Sequence, residues 1–245
     1  MTKQIPVRKL KQMVLSLLED KNAPAKLSQL LEYPLNKVVN PLFTALLSPN
    51  PIVKWHGVTA FGVVVGEMAN QNLESARIIM RRFMWMLNDE SGGIGWGVPE
   101  AMGEIMAVCP KLAAEYHTIL ISYLQEHEKG KDNFLEYAPL RRGAFWGVAR
   151  LAQTHPSLAQ KALPKIKKAF FIEKDAYILA YSLLYLMQLG SNSKKINLAS
   201  LDLSKCCKNA QNLIIYWREK FINTCLKQLA SQLLQLQSNL TQQGG

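Results

Sequence analysis

Trp96, Glu100 and Glu104 are spaced four residues apart. On a helix that spacing stacks an indole and two carboxylates on one face, a turn apart. The stretch leading into them holds two more acids, Asp89 and Glu90, and four glycines, Gly92, Gly93, Gly95 and Gly97. Glycine at such density marks a tight turn or a close backbone approach. Pro99 suits a first helical turn, and Glu100 then sits where a carboxylate favours the helix dipole. Helix N-termini bind anions, but these acids would repel a phosphate. A cationic group, a hydrogen-bonding group or a metal ion fits the local charge better. Carboxylates alone would hold only a hard ion, and weakly, so no metal and no cofactor is expected. Gly93-Ile94-Gly95-Trp96-Gly97 is not a nucleotide fingerprint: the final glycine spacing is missing and no strand precedes it.

The elements that must position these groups are helices. Apolar residues recur at helical spacing in Val58, Phe61, Val65 and Met68, in Ile78, Ile79, Phe83 and Met86, and in Val98, Ala101, Met102, Ile105 and Cys109. Further helices are expected over residues 7–20, 25–31, 38–47, 112–125, 140–153, 156–170 and 175–189. A polar loop spans 126–139. Period-two alternation is absent from this region.

The helices repeat. Val53-Lys54-Trp55-His56-Gly57-Val58 lies over Ile94-Gly95-Trp96-Gly97-Val98-Pro99, 41 residues on, and the frame returns as Leu140-Arg141-Arg142-Gly143-Ala144-Phe145. A period near 40 residues with two helices per unit is the spacing of HEAT-type arrays. The first and third units, with a basic residue (Lys54, Arg141) after an apolar one and small residues following, resemble the HEAT-like repeat family of the type found in phycobilisome lyases. The second unit departs from the pattern at Gly95 and Pro99. The glycine–tryptophan loop is similar to loops of uncharacterised bacterial HEAT-like proteins, a similarity that carries no activity across. The resemblance covers about residues 36–190 and implies a mainly α fold, a HEAT-like α-α superhelix, within a helical repeat domain expected over residues 1–190.

The remainder divides into a linker over 191–211, a cap over 212–238 and a flexible tail over 239–245. In the cap, Leu213-Ile214-Ile215-Tyr216-Trp217 is β-branched and aromatic and favours a strand. Residues 218–220 could turn it, 221–225 could return it as a hairpin, and an amphipathic helix follows over 227–236.

Second helices of such arrays line the concave side, so equivalent positions should form columns. Trp55, Trp96 and Arg142 are equivalent; so are Thr59, Glu100 and Trp146, and Val63, Glu104 and Arg150. The expectation is a groove lined by these residues, with His56 and Arg141 beside it and Asp89 and Glu90 at its rim. Two bland alternatives stand beside that reading. The tryptophans can pack between helices, and Glu100 and Glu104 can be neutralised by Arg142 and Arg150 in a structural ladder.

With 245 residues, 49% of them hydrophobic and 19% charged, the chain can bury a core and is not of disordered composition. Four cysteines without metal-ligand spacing suggest reduced thiols, and the absence of a signal-like run or a membrane-length apolar stretch suggests a cytoplasmic protein with no membrane partner. The net charge is +11, yet residues 51–110 hold four bases against six acids. The first functional reading is a non-enzymatic scaffold whose groove takes a protein, a peptide or a small ligand. The second is a DNA-binding protein, or an enzyme similar to the HEAT-like alkylpurine DNA glycosylases, which use tryptophans, a carboxylate and an arginine near the damaged nucleotide. Trp96, Glu100, Arg142 and Trp146 resemble that set in kind and spacing. The acid, however, is Glu rather than Asp.

Overall fold

The computed structural model describes residues 3–88, 94–126, 133–192 and 201–242. The chain forms two compact units, Met1–Leu112 and Ala113–Gly245. No helix among the described residues is long and apolar enough to cross a membrane.

The first unit is built from α1 (Val7–Glu19), a 3-10 helix over Ala23–Glu32, α2 (Leu35–Leu46), α3 (Pro51–Gln71), α4 (Leu73–Asn88) and α5 (Val98–Val108). Helix α3 starts where Asn50 accepts a hydrogen bond from the Ile52 amide (2.9 Å) and Pro51 needs no partner for a missing N–H. It packs on α2, α4 and α5 and is buried almost all round. Two glycines make that possible. A Cβ on Gly57 would lie 2.9 Å from Ala45 Cβ on α2, and one on Gly66 would lie 2.9 Å from Val108 Cγ1 on α5. The core centres on Phe43, Phe61 and Phe83, one from each of α2, α3 and α4. Their rings meet edge to face at 5.1–5.2 Å, a geometry that satisfies the ring quadrupoles. On α4 the inward residues are Ala76, Ile79, Met80 and Phe83. Ile78, expected inward, is 54% exposed, because the inward arc follows the 76–79–80–83 stripe and Ile78 falls outside it.

Helix α6 (Pro110–Ser122) begins in the first unit and runs into the second, which continues with α7 (Ala138–Thr154), α8 (Pro156–Ala159), α9 (Leu163–Ile172), α10 (Ala176–Asn192), α11 (Ser204–Lys208), β1 (Leu213–Trp217), β2 (Lys220–Thr224) and α12 (Leu226–Gln242). The helix expected over 156–170 is divided by a 3-10 turn over Gln160–Ala162. Helix α10 packs on α7, α9 and α12. The expected hairpin is present: β1 and β2 pair antiparallel with Leu213 opposite Thr224, Ile215 opposite Ile222 and Trp217 opposite Lys220. Its turn has only two residues, Arg218 and Glu219, both at positive φ (52° and 62°). Positive φ at both positions is the type I′ form of a two-residue hairpin turn, and side chains other than glycine, asparagine or aspartate adopt it at a cost. The segment expected as a linker contains the short helix α11 where the structure describes it.

Candidate functional site

In the first unit the equivalent second helices, α3 and α5, are direct neighbours. Gly97 ends the glycine stretch at φ 72° and serves as the N-cap of α5. A Cβ there would lie 3.1 Å from Leu46 Cδ2 and 3.3 Å from Lys54 Cε. The backbone at Gly97 is therefore pressed against α2 and α3, which explains a glycine there. Asp89 and Glu90, proposed for the rim, lie outside the described residues.

Glu100 is buried, and its Oε1 accepts from Lys54 Nζ at 3.1 Å; Lys54 also lies 5.6 Å from the centre of the Trp55 ring. Trp55 and Trp96 are both half-buried. One turn further, Glu104 is buried against Gly62, where a Cβ would come within 2.9 Å of Glu104 Cγ. Thr59, in the same column as Glu100, is buried and donates to the Trp55 carbonyl (3.3 Å). Val63, in the column of Glu104, lines an open groove of about 600 Å³ with Gly66, Glu67, Val108 and Lys111. From Trp55 and Trp96 to this groove, α3 and α5 thus present a strip with half-buried indoles at one end, closed carboxylates in the middle and a recess at the other.

His56, expected beside the groove, is buried. Its Nδ1 donates to the Leu18 carbonyl at 2.8 Å, so it ties α3 to α1 and is closed to a ligand.

The second unit treats its share of the columns differently. Arg141 is buried. Its Nε and Nη2 donate to Glu173 (3.0 and 3.3 Å), and its Nη1 donates to the carbonyls of Leu135 and Glu136, both at 2.7 Å. Four of its five N–H donors are used, so Arg141 anchors the segment before α7 to the end of α9. Arg142 forms a two-pronged pair with Asp175 (2.9 and 2.7 Å to Oδ2) and lies over the Tyr177 ring. The Asp175 hydrogen bond raises the guanidinium pKa further above its ordinary value. Asp175 also accepts from the amides of Tyr177 and Ile178, capping α10. Arg150 is half-exposed and donates to Gln153 (3.0 Å).

Trp146 is only 2% exposed. Its Nε1 donates to the Tyr216 carbonyl at 2.7 Å, and its ring meets Trp217 at 6.2 Å. The expectation that it lines an open groove is corrected: strand β1 lies on it. Within each unit a local partner is present, Lys54 for Glu100 and Asp175 for Arg142. Of the glycosylase-like set, Trp146 is covered by β1 and Arg142 is held by Asp175, both within the second unit.

Three residues that decide this arrangement carry different signals in sequence. Lys54 occupies the basic slot of the repeat. Asp175 stands at the start of a helix, a capping signal. Glu173 has no sequence signal, because its role comes only from the packing of α9 beside Arg141.

The repeats are HEAT-like. Paired helices recur at the period read from the sequence, and equivalent second helices are neighbours within each unit, α3 beside α5 and α7 beside α10. No protein-family model matches the chain, and no curated protein matches it. Among solved structures it is similar to the designed armadillo repeat protein YIII(Dq)4CqI, at 16% identity and TM-score 0.47, covering 93% of this chain and 99% of that one. It is similar also to a designed armadillo repeat protein, YIII(Dq.V1)4CPAF, solved in complex with the peptide (KR)4, at 16% identity and TM-score 0.48 over 93% and 99% of the two chains. A third is an archaeal HEAT-like repeats protein from Thermococcus onnurineus NA1, at 14% identity and TM-score 0.41 over 96% and 81%.

Proposed function

We propose that the chain is a binding scaffold and that the strip along α3 and α5 receives a segment of a protein or peptide. The observation that carries this reading is the pair of half-buried indoles, Trp55 and Trp96, beside a Lys54–Glu100 ion pair and in line with the recess at Val63 and Gly66. Aromatic anchors next to satisfied polar groups are the composition of energetically dominant contacts at protein interfaces. The strip carries Glu67, Glu100 and Glu104 against Lys54 and Lys111, a net negative balance inside a basic protein. That balance favours a segment bearing a cationic side chain, which an indole face also attracts.

The test is a peptide array of varied charge probed with the labelled full chain, followed by solution titration of the best binders. A lysine- or arginine-containing peptide should bind, and Trp96→Ala and Glu100→Gln should each weaken it with circular dichroism unchanged. Duplex DNA is titrated alongside. Binding of DNA alone, or peptide binding that neither substitution alters, removes this reading.

A further inference from the structure

We propose that strand β2 is a pairing edge through which two copies of the chain associate, joining their hairpins into one four-stranded antiparallel sheet. The inference is independent of the strip on α3 and α5.

The two strands of the hairpin are not equivalent. β1 is covered: Leu213, Ile215, Tyr216 and Trp217 are buried, and the Tyr216 carbonyl is taken by Trp146. β2 is open. Lys220, Phe221, Ile222 and Asn223 are all exposed, and only Thr224 is buried. Among the described residues the backbone groups of β2 pair with β1 and with nothing on the outer side. An outer strand with unpaired N–H and C=O groups and exposed apolar side chains is a template for another strand. Folded proteins usually blunt such an edge with charge, proline or a bulge. Here the single charge is Lys220 at the turn, and the middle of the strand is Phe221 and Ile222, at 38% and 39% exposure.

The residue order selects the occupant. If β2 pairs with its own copy about a two-fold axis through Ile222, then Ile222 faces Ile222, Phe221 faces Asn223 and Lys220 faces Thr224. No like charges oppose one another, and a β-branched pair sits at the centre. A parallel pairing would set Lys220 against Lys220.

The association is of limited area, since five residues a side fall short of a standard interface. Its strength should therefore depend visibly on concentration. Sedimentation velocity of the full chain over a wide concentration range should show a reversible shift from one to two copies. Ile222→Lys sets two cations face to face at the axis and should weaken association on the order of tenfold or more, with an unchanged thermal melt. Ile222→Cys should give a disulfide between the two introduced thiols under mild oxidation, located by peptide mass mapping. That result decides the matter even if the lysine variant misfolds. A single copy at every concentration, a dimer indifferent to Ile222→Lys, or a cross-link that does not join the introduced thiols would each overturn the proposal.

Discussion

The two units use the same repeat position for opposite purposes. In the first, Glu100 occupies the column and is answered by Lys54 from the neighbouring helix, and the indoles of Trp55 and Trp96 stay half-exposed. In the second, Trp146 occupies it and is sealed under β1. The cores differ in kind as well. The first is centred on three phenylalanines that need no hydrogen-bond partner, and its sole tyrosine is Tyr33. The second buries Trp146, Tyr123, Tyr185 and Tyr216 together with the Arg141–Glu173 pair. Equivalence along a repeat therefore fixes which direction a side chain points, while the element added outside the repeat decides whether it meets solvent.

Removing Arg141 should break that contrast most severely. Arg141→Ala leaves the Glu173 carboxylate buried without its cation and frees two carbonyls, a loss of about 3–5 kcal/mol. Denaturant unfolding should show the loss, and adding Glu173→Gln should recover part of it. Alkali should discriminate next. Burial pushes the Tyr123 phenol up to about 12, and Tyr185 is raised further by the same cause. The unfolded chain sheds these protons near the ordinary value of 10.0. The folded state thus holds more protons above that value, and stability falls as pH climbs from 10.0 towards 12. The loss from Tyr123 alone is on the order of 2–3 kcal/mol. Unfolding followed by hydrogen exchange should place it in the second unit. If the first unit loosens at the same pH, the difference in core chemistry is not what governs stability.

Trp146→Phe keeps most of the packing but removes the indole N–H that donates to the Tyr216 carbonyl, and should cost about 2 kcal/mol. Its distinguishing sign is faster exchange in β1, with α3 and α5 unaffected. Gly97→Ala tests the first unit. Its positive φ and the nearness of Leu46 and Lys54 predict a loss of about 1 kcal/mol or somewhat more. Fluorescence of Trp96, one residue away, should shift with it.

Much of the helix pairing was legible in sequence because apolar spacing and proline punctuation are local signals. Ser48-Pro49-Asn50-Pro51 announced α3, and Val98 to Cys109 faced inward as the spacing required. The hairpin was legible from Leu213 to Trp217, although its turn was one residue shorter than expected, since Arg218-Glu219 is not a usual two-residue turn sequence. The site was only half legible. Column positions could be aligned, yet His56 and Trp146 were closed by Leu18 and Tyr216, which lie 38 and 70 residues away in sequence. No local pattern reports a partner at that distance. The partner of Glu100, Lys54, stood in the aligned repeat itself, but two alternatives of the same charge, Arg142 and Arg150, were equally visible.

The distance between Trp146 and its lid also has a consequence in time. The indole leaves the ribosome 70 residues ahead of the carbonyl it binds. At roughly 5–20 residues per second of synthesis, that is an interval of about 4–14 seconds. During it, α7 and α10 can form while the large apolar surface that β1 will cover stays open to water. Stalling translation after α10 should therefore yield a nascent chain that a chaperone selective for exposed apolar surface engages at α7, with release on synthesis of Leu213–Trp217.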